Sequence, residues 1–241
     1  FNNGTRLLQY ITNGDKSYQA TVVLGAATVT DDVEGEVISR GDVSAITDSQ
    51  IEAELVKMRG TIMQRPSSVS AVKVDGERAY DRVRAGEAVE LASREVTISQ
   101  LDIKEIRRIE NAIEVDIEVT CSAGTFIRAI ARDCGDSLAV GGHLNSLRRT
   151  RVAGFGIDKA ISLTSLKAGE FVTLPLVNVA RTTFSARELA LEEVNELSYG
   201  RPLSANPDEA IYAAISGEEL IALLCNKDGL AKPIAVFAAA N

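Results

Sequence analysis

Tyr18 stands at the start of a segment that predicts a β-strand, where its ring could stack on a nucleobase. The segment 16–24 (KSYQATVVL) is rich in β-branched residues and closes at Gly25. Stacking of a base on an aromatic side chain contributes about 1–3 kcal/mol. The alternative is a half-buried tyrosine of the hydrophobic core, which this feature taken alone favours.

Arg128 lies in the first turn of a predicted helix, 125–138, which follows a tight turn at 122–124. The helix dipole favours anions at this end, so an arginine here needs another partner. We expect a carboxylate or a phosphate held in fork geometry. Asp32, in the acidic loop 26–35, is a candidate. The alternative is an exposed helix arginine.

Three arginines share the predicted strand 144–153: Arg148, Arg149 and Arg151. Alternation along a strand predicts Arg149 and Arg151 on one face and Arg148 on the other. The functional interpretation is contact with phosphate groups. The alternative is a solvated edge strand whose charges prevent aggregation.

The stretch 65–86 mixes turn signals with a short helical run and predicts an inserted arm. Its cationic residues include Lys73, Arg78, Arg82 and Arg84. With the arginine strand, these residues would form a local basic surface on a chain whose net charge is −8.

Composition excludes several classes of function. Of the 241 residues, 26 are Lys or Arg and 34 are Asp or Glu, which rules out a uniformly basic coat for nucleic acid. One histidine, His143, leaves little scope for a metal site, and three cysteines with no CxxC pair fit a reducing compartment. No apolar run approaches the roughly 20 residues of a membrane helix. A Walker loop, a G-x-G-x-x-G turn and an H-E-x-x-H helix are also missing from the sequence.

Helices and strands of ordinary length must position these residues. Strict alternation of apolar and polar residues over 113–121 predicts a strand with one buried face. A capping-box spacing predicts a helix that begins at Thr47 and ends at Gly60. After a linker around 171–183, the same spacing at Ser185 predicts a second capped helix that stops at Gly200. Short strands are predicted near 211–215, 220–225 and 234–237.

Four segments in this order carry a resemblance: DKSYQATVVLGAATVTDDVEG, RPSSVSAVKVDGERAYDRVRAG, CSAGTFIRAIARDCGDSLAVGGH and LRRTRV. Together they resemble the TruB-type bacterial tRNA pseudouridine-55 synthases, and the tail resembles that family's small PUA-like domain. The resemblance implies an α+β fold, with a mixed, mostly antiparallel sheet, flanking helices and a small β-rich C-terminal domain. It implies a catalytic domain at 1–172 with an RNA-gripping arm at 62–92, and a PUA-like domain at 183–241.

The resemblance also implies an activity and its partners. In that family a uridine in the T loop of tRNA is flipped out, its N-glycosidic bond is cleaved, and the base is rejoined through carbon. No cofactor is implied. The implied partner is the T stem-loop of tRNA, and the implied enzyme is a cytoplasmic monomer that needs no protein partner.

Site residues carry over position by position. Tyr18 matches the tyrosine that stacks on the flipped base, and Arg128 matches the arginine that orients the catalytic carboxylate. Asp32 matches an acidic neighbour of that arginine, and Leu147 matches an apolar residue of the uridine pocket. Phe126 stands where the family often has tyrosine. The implied RNA contacts are Lys73, Arg78, Arg82, Arg148, Arg149 and Arg151.

The family's nucleophilic aspartate belongs to a G-G-T-L-D-P-x-A-[TS]-G motif, which does not occur in these 241 residues. We therefore expect that this polypeptide alone does not make pseudouridine, and that further N-terminal residues carry the motif. A non-catalytic RNA-binding or RNA-folding protein is the alternative. An enzyme with a new nucleophile on the same scaffold is disfavoured, because no catalytic dyad is evident.

Overall fold

A computed structural model describes residues 2–67, 73–74, 77–78, 91–206 and 211–237. The chain forms two compact units, one built from 13–152 and the other from 1–12 together with 153–241. The boundary after residue 152 lies earlier in the chain than the boundary implied by the resemblance, which separated 1–172 from 183–241. Residues 1–12 also belong to the second unit.

Strands dominate both units. In chain order they are β1 Lys16–Leu24, β2 Ala26–Thr28, β3 Val37–Arg40, β4 Gly60–Gln64, β5 Lys73–Val74, β6 Glu77–Arg78, β7 Arg94–Ile109, β8 Ala112–Cys121, β9 Gly142–Val152, β10 Phe155–Gly156, β11 Ala186–Glu188, β12 Leu203–Ser204, β13 Tyr212–Ser216, β14 Glu219–Lys227 and β15 Leu230–Val236. The α-helices are α1 Thr5–Ile11, α2 Asp48–Val56, α3 Ile127–Ser137, α4 Leu163–Ala168, α5 Leu176–Thr183 and α6 Leu191–Ser198.

The unit 13–152 is built on an antiparallel sheet with strand order β9-β1-β8-β7-β4. The predicted alternation in β8 is confirmed, since every second residue from Ile113 to Cys121 is buried. Helices α2 and α3 supply Ile51, Leu55 and Ile130 to the same hydrophobic core. The sheet therefore has one face covered by helices and one polar face.

The polar face carries hydrogen bonds between neighbouring strands. Gln19 of β1 donates to Glu118 of β8 at 3.1 Å, and Thr21 donates to Asp116 at 2.7 Å. These cross-strand pairs provide hydrogen-bond partners for polar side chains on the face of the sheet that α2 and α3 do not cover.

Local sequence signals explain both helices of this unit. The capping box that opens α2 is present, because Gln50 N–H donates to the Thr47 hydroxyl and the Gln50 amide oxygen accepts from Thr47 N–H. Helix α3 lies so close to β9 that a Cβ at Gly135 would overlap the backbone of Gly141. Glycine at that position permits the contact between helix and strand.

The second unit contains a sheet with order β11-β13-β14-β15-β12, in which only the β11–β13 pair, of those given, is parallel. Its core receives Leu7 from α1, Val177 from α5 and Leu197 from α6. None of the helices in the described ranges is long and apolar enough to span a membrane.

The predicted helix start at Ser185 is wrong. Residues Ala186–Glu188 form β11 instead, because they pair with β13 through bonds that no local pattern reveals. The helix begins at Leu191, where the Glu193 carboxylate accepts from the Ala190 N–H at 3.0 Å. The N-terminal cap was predicted at Ser185 and lies instead at Ala190.

Candidate active site

Tyr18 lies on the core side of β1, half-buried against the helix-covered face of the sheet. Burial raises the pKa of its hydroxyl, and the nearby Cys121 thiol adds to the rise. The charge of the Arg149 guanidinium and its interaction with the hydroxyl oppose that shift. The ring is thus partly covered, and its hydroxyl lies near a cation.

Arg149 reaches Tyr18 because the two residues are paired across β9 and β1. Leu147 is paired with Ala20, so it lies on the same face of the sheet, and it is 48% exposed. Tyr18, Leu147 and Arg149 therefore form a partly exposed group at one end of β1, on the side of α3. We call these three residues the strand cluster.

The prediction that Arg149 and Arg151 lie on the same face of the strand is wrong. A register shift between Ser17 and Tyr18 places Arg151 opposite Ser17, whose hydroxyl accepts from Arg151 Nε at 3.1 Å. Arg148 is paired with Gln19 on that same polar face. A β-bulge thus breaks simple alternation and leaves Arg149 as the arginine of the strand that shares a face with Tyr18.

The expected partner of Arg128 is Asp32. Their charged groups are 2.9 Å apart, and the Asp32 side chain is only 14% exposed. Arg128 also donates to the carbonyl of Thr30 at 3.3 Å. An anion thus faces the N-terminal turn of α3 and compensates the unfavourable position of the arginine.

Asp32 is itself held by its loop. Its carboxylate accepts from the Thr30 hydroxyl and from the Glu34 N–H at 3.1 Å. The flanking backbone bonds to Leu144 of β9, since Val33 N–H donates to the Leu144 carbonyl at 2.8 Å. Loop, helix and strand thereby fix the position of Asp32.

A second ion pair, not foreseen from the sequence, lies one helical turn further along α3. Arg132 contacts the carboxylate of Asp31 at 3.3 Å, and both side chains are nearly buried. The pKa of Asp31 is raised because the carboxyl is buried. Hydrogen bonding to Ser67 and the charge of Arg132 oppose this rise but do not cancel it. The DD pair at 31–32 and arginines spaced by four residues are the sequence signal that could have revealed it.

Gln64 and Arg94 hold the turn that enters α3. The Gln64 side chain, 1% exposed, accepts from the Phe126 N–H at 2.8 Å and donates to the Phe126 carbonyl at 3.1 Å. The Arg94 guanidinium lies 4.5 Å from the centre of the Phe126 ring and donates to the Gly124 carbonyl. Neither residue was singled out from the sequence.

The expected arm residues are described only in part. Lys73 and Arg78 are opposite each other in the β5–β6 pair, whereas Arg82 and Arg84 lie outside the described residues. Residues 62–64 of the predicted arm belong to β4.

His143 has a structural role. His143 is buried, and its Nδ1 donates to the Ala26 carbonyl at 2.9 Å, so it supports the fold. Among the residues with described positions, no group of three or more His, Cys, Asp or Glu side chains could hold a metal ion.

Comparisons with known proteins identify the family of the chain. Residues 1–127 match the model described as TruB family pseudouridylate synthase, N-terminal domain, and residues 128–173 match the tRNA pseudouridylate synthase B C-terminal domain. The chain belongs to the TruB family of pseudouridylate synthases. The family implied by the four quoted segments is thus confirmed.

Relatives of this TruB-family chain cover nearly its whole length. It is 46% identical over 252 residues to tRNA pseudouridine synthase B of Arthrobacter sp. (strain FB24), covering 100% of this chain and 82% of that protein. It is also 46% identical over 239 residues to the protein of that name from Mycobacteroides abscessus, covering 98% and 80%.

Two solved structures share the fold. One is a Cbf5-Nop10-Gar1 complex, with TM-score 0.68, 20% identity, and coverage of 98% of this chain and 70% of that one. The other is an H/ACA RNP bound to a substrate RNA containing 2'-deoxyuridine, with TM-score 0.67, 19% identity and coverage of 98% and 70%. The expected α+β fold, with a mostly antiparallel sheet and flanking helices, is confirmed.

Proposed function

We propose that this chain has the function of a tRNA pseudouridine synthase, the isomerisation of uridine 55 in the T loop, in a form that also contains the aspartate motif. Membership of the TruB family and the names of relatives 46% identical to it support the activity. The T stem-loop of tRNA is the proposed partner. We further propose that the protein acts as a cytoplasmic monomer without a protein partner or cofactor.

The proposed reaction is an isomerisation with no net oxidation or reduction. The bond between uracil N1 and ribose C1′ breaks, and a bond between C5 and C1′ forms. N1 ends with a proton, and C5 loses one. Because substrate and product have the same composition, the reaction needs only a nucleophile, a uracil held in position and the transfer of protons.

The strand cluster is the proposed platform for the flipped uridine. The ring of Tyr18 would stack on the base, and Leu147 would line the pocket beside it. Arg149 is the proposed phosphate contact of this cluster, since it lies on the same face as Tyr18. Arg148 and Arg151 contact RNA from the opposite face, and Lys73, Arg78 and Arg82 contact it from the arm.

The observation that carries the proposal is the ion pair between Arg128 and Asp32 at the N-terminus of α3, with the charged groups 2.9 Å apart. A guanidinium whose direction is fixed in this way is suited to orient a catalytic carboxylate. In this assignment Arg128 acts on the nucleophile and contributes little to RNA affinity.

We also propose that these 241 residues do not turn over uridine by themselves, because the G-G-T-L-D-P-x-A-[TS]-G motif is not in the sequence. Tritium release from tRNA labelled at C5 of uridine tests this directly. We expect no release with this chain, and release with a form that also contains the motif. Release by the 241-residue chain would overturn this part of the proposal.

Arg128→Ala separates the catalytic role from binding. In the form that contains the motif, we expect a sharp loss of turnover, with affinity for a T-arm hairpin changed by no more than a few-fold. Loss of affinity with turnover retained would refute the assignment. Equal affinity of the wild-type chain for T-arm and scrambled hairpins would refute the function itself.

A non-catalytic tRNA-binding or RNA-folding protein is the second candidate. The two candidates differ in one measurement. If the motif-containing form binds the T arm specifically but releases no tritium, the non-catalytic function is correct.

A further inference from the structure

The nearly buried contact between Asp31 and Arg132 points to a role for residues that form no part of the proposed pocket. Arg132 joins three segments of the unit 13–152: the loop that carries Asp32, helix α3, and the stretch 65–67. Its guanidinium donates to Asp31 at 3.3 Å, to the Arg65 carbonyl at 2.7 Å and to the Pro66 carbonyl at 3.4 Å.

Arg132 is also paired with its neighbour on the helix. Its Nε donates to Asp133 at 2.8 Å, and its side chain is 10% exposed. Four acceptors around one nearly buried guanidinium use the planar, forked geometry that distinguishes arginine from lysine.

Asp31 has a backbone conformation that suits this arrangement. Its φ is +58°, in the left-handed region that non-glycine residues rarely adopt. In an extended chain, consecutive side chains point in opposite directions. The left-handed turn lets Asp31 and Asp32 both face α3, where they meet arginines four residues apart on the same side of the helix.

The two ion pairs are therefore parallel connections between one loop and one helix. Asp32–Arg128 is the outer pair, at the proposed site, and Asp31–Arg132 is the inner pair. The inner pair fixes the loop that aims Asp32, and through Arg65 and Pro66 it also fixes the end of the segment that follows β4. Ser67 adds to this connection by donating to the Thr30 carbonyl at 3.3 Å.

We propose that Asp31 and Arg132 are positioning residues. They hold the loop that carries Asp32 against α3 and β9, so that the strand cluster can receive a flipped uridine and Arg128 can orient the nucleophile. This inference rests on the proposed function. It predicts that weakening the inner pair impairs base flipping more than it impairs RNA binding.

The test uses a T-arm hairpin with 2-aminopurine beside the target uridine, because flipping unstacks that neighbour and raises its fluorescence. Affinity is measured in parallel by anisotropy of an end-labelled hairpin. The variants are Arg132→Lys, which keeps the charge but not the fork, and Asp31→Asn, which keeps the size of the side chain. Circular dichroism verifies that each variant is folded.

We expect both variants to bind within about threefold of wild type, with the fluorescence rise at saturation reduced by about half or more. The matched control is Arg108→Lys, because Arg108 forms an exposed ion pair with Asp48 at 2.6 Å in the same unit. The control should change neither measurement, as expected for a surface pair.

The exchanged pair, Asp31→Arg with Arg132→Asp, keeps opposite charges and remains informative if Arg132→Lys does not fold. Recovery of part of the fluorescence rise by the exchanged pair relative to Arg132→Asp alone supports the inference. A wild-type fluorescence rise in folded Arg132→Lys and Asp31→Asn overturns it and leaves the proposed function intact. Absence of any rise with the wild-type chain overturns the proposed function and this inference together.

Discussion

Arg148 and Arg149 are adjacent arginines on opposite faces of β9, which makes them a matched pair for testing where RNA binds. Arg149 is paired with Tyr18, and its charge lowers the pKa of the Tyr18 hydroxyl, whereas Arg148 is paired with Gln19 on the polar face. Arg149→Gln should weaken binding of a T-arm hairpin. Arg148→Gln, with the same chemical change one residue away, should weaken it less.

The magnitude follows from counterion release. One lost phosphate contact lowers the slope of log K against log salt by about 0.7–0.9. Between roughly 50 and 200 mM salt, the affinity ratio of wild type to Arg149→Gln should therefore fall by about threefold. Fluorescence anisotropy at several salt concentrations measures this slope for both variants.

Tyr18 provides a second measurement that needs no RNA. Because Arg149 lowers the pKa of the Tyr18 hydroxyl, removing the guanidinium should raise that pKa further. Ultraviolet difference spectra at alkaline pH follow the ionisation, and Arg148→Gln should leave it unchanged. A larger loss of affinity for Arg148→Gln than for Arg149→Gln would refute the placement of the flipped uridine on the Tyr18 face.

Three further predictions concern stability and reactivity. Gln64→Leu should lower the free energy of unfolding in urea by about 1–3 kcal/mol, because it leaves the partly buried N–H and carbonyl of Phe126 without their partners; an unchanged midpoint would contradict this. Ile130→Ala should cost about 2–5 kcal/mol in the same assay, since Ile130 is fully buried, whereas the exposed Met63→Ala should change stability little. With a thiol reagent at pH 8, Cys225 should react first, because it is partly exposed whereas burial raises the pKa of Cys134 to about 12. Peptide mass mapping identifies the modified cysteine. Faster modification of Cys134 than of Cys225 in the folded chain would refute the burial of Cys134.

Local patterns predicted the elements that bury an apolar face. Strand β8 alternates with period two, and α3 repeats its apolar residues with helical period, so each pattern is readable within about a dozen residues. The anionic partner of Arg128 was also predictable, because a cation in the first turn of a helix opposes the helix dipole.

Features that depend on distant partners were not predictable. The bulge that turns Arg151 away from Arg149 exists only in the register of β9 against β1, and neither strand signals it alone. Strand β11 is similar, because its three residues are a strand only through pairing with β13. The long strand β7 was missed because its exposed and buried residues alternate irregularly, with register shifts against β8.

Charge placement links these findings to the proposed chemistry. The chain has a net charge of −8, yet the two arginines of α3 near the site are each paired with an aspartate of one loop. Arginines neutralised within the protein release few counterions when RNA binds, so Arg128 and Arg132 should add little to the salt slope. Arg149 differs, because the Tyr18 hydroxyl beside it has a raised pKa and is neutral at pH 7, so this neighbour leaves the positive charge of Arg149 uncompensated. The same unit can thus separate orientation of the reacting groups, carried by paired arginines, from attraction of the RNA backbone, to which Arg149 contributes.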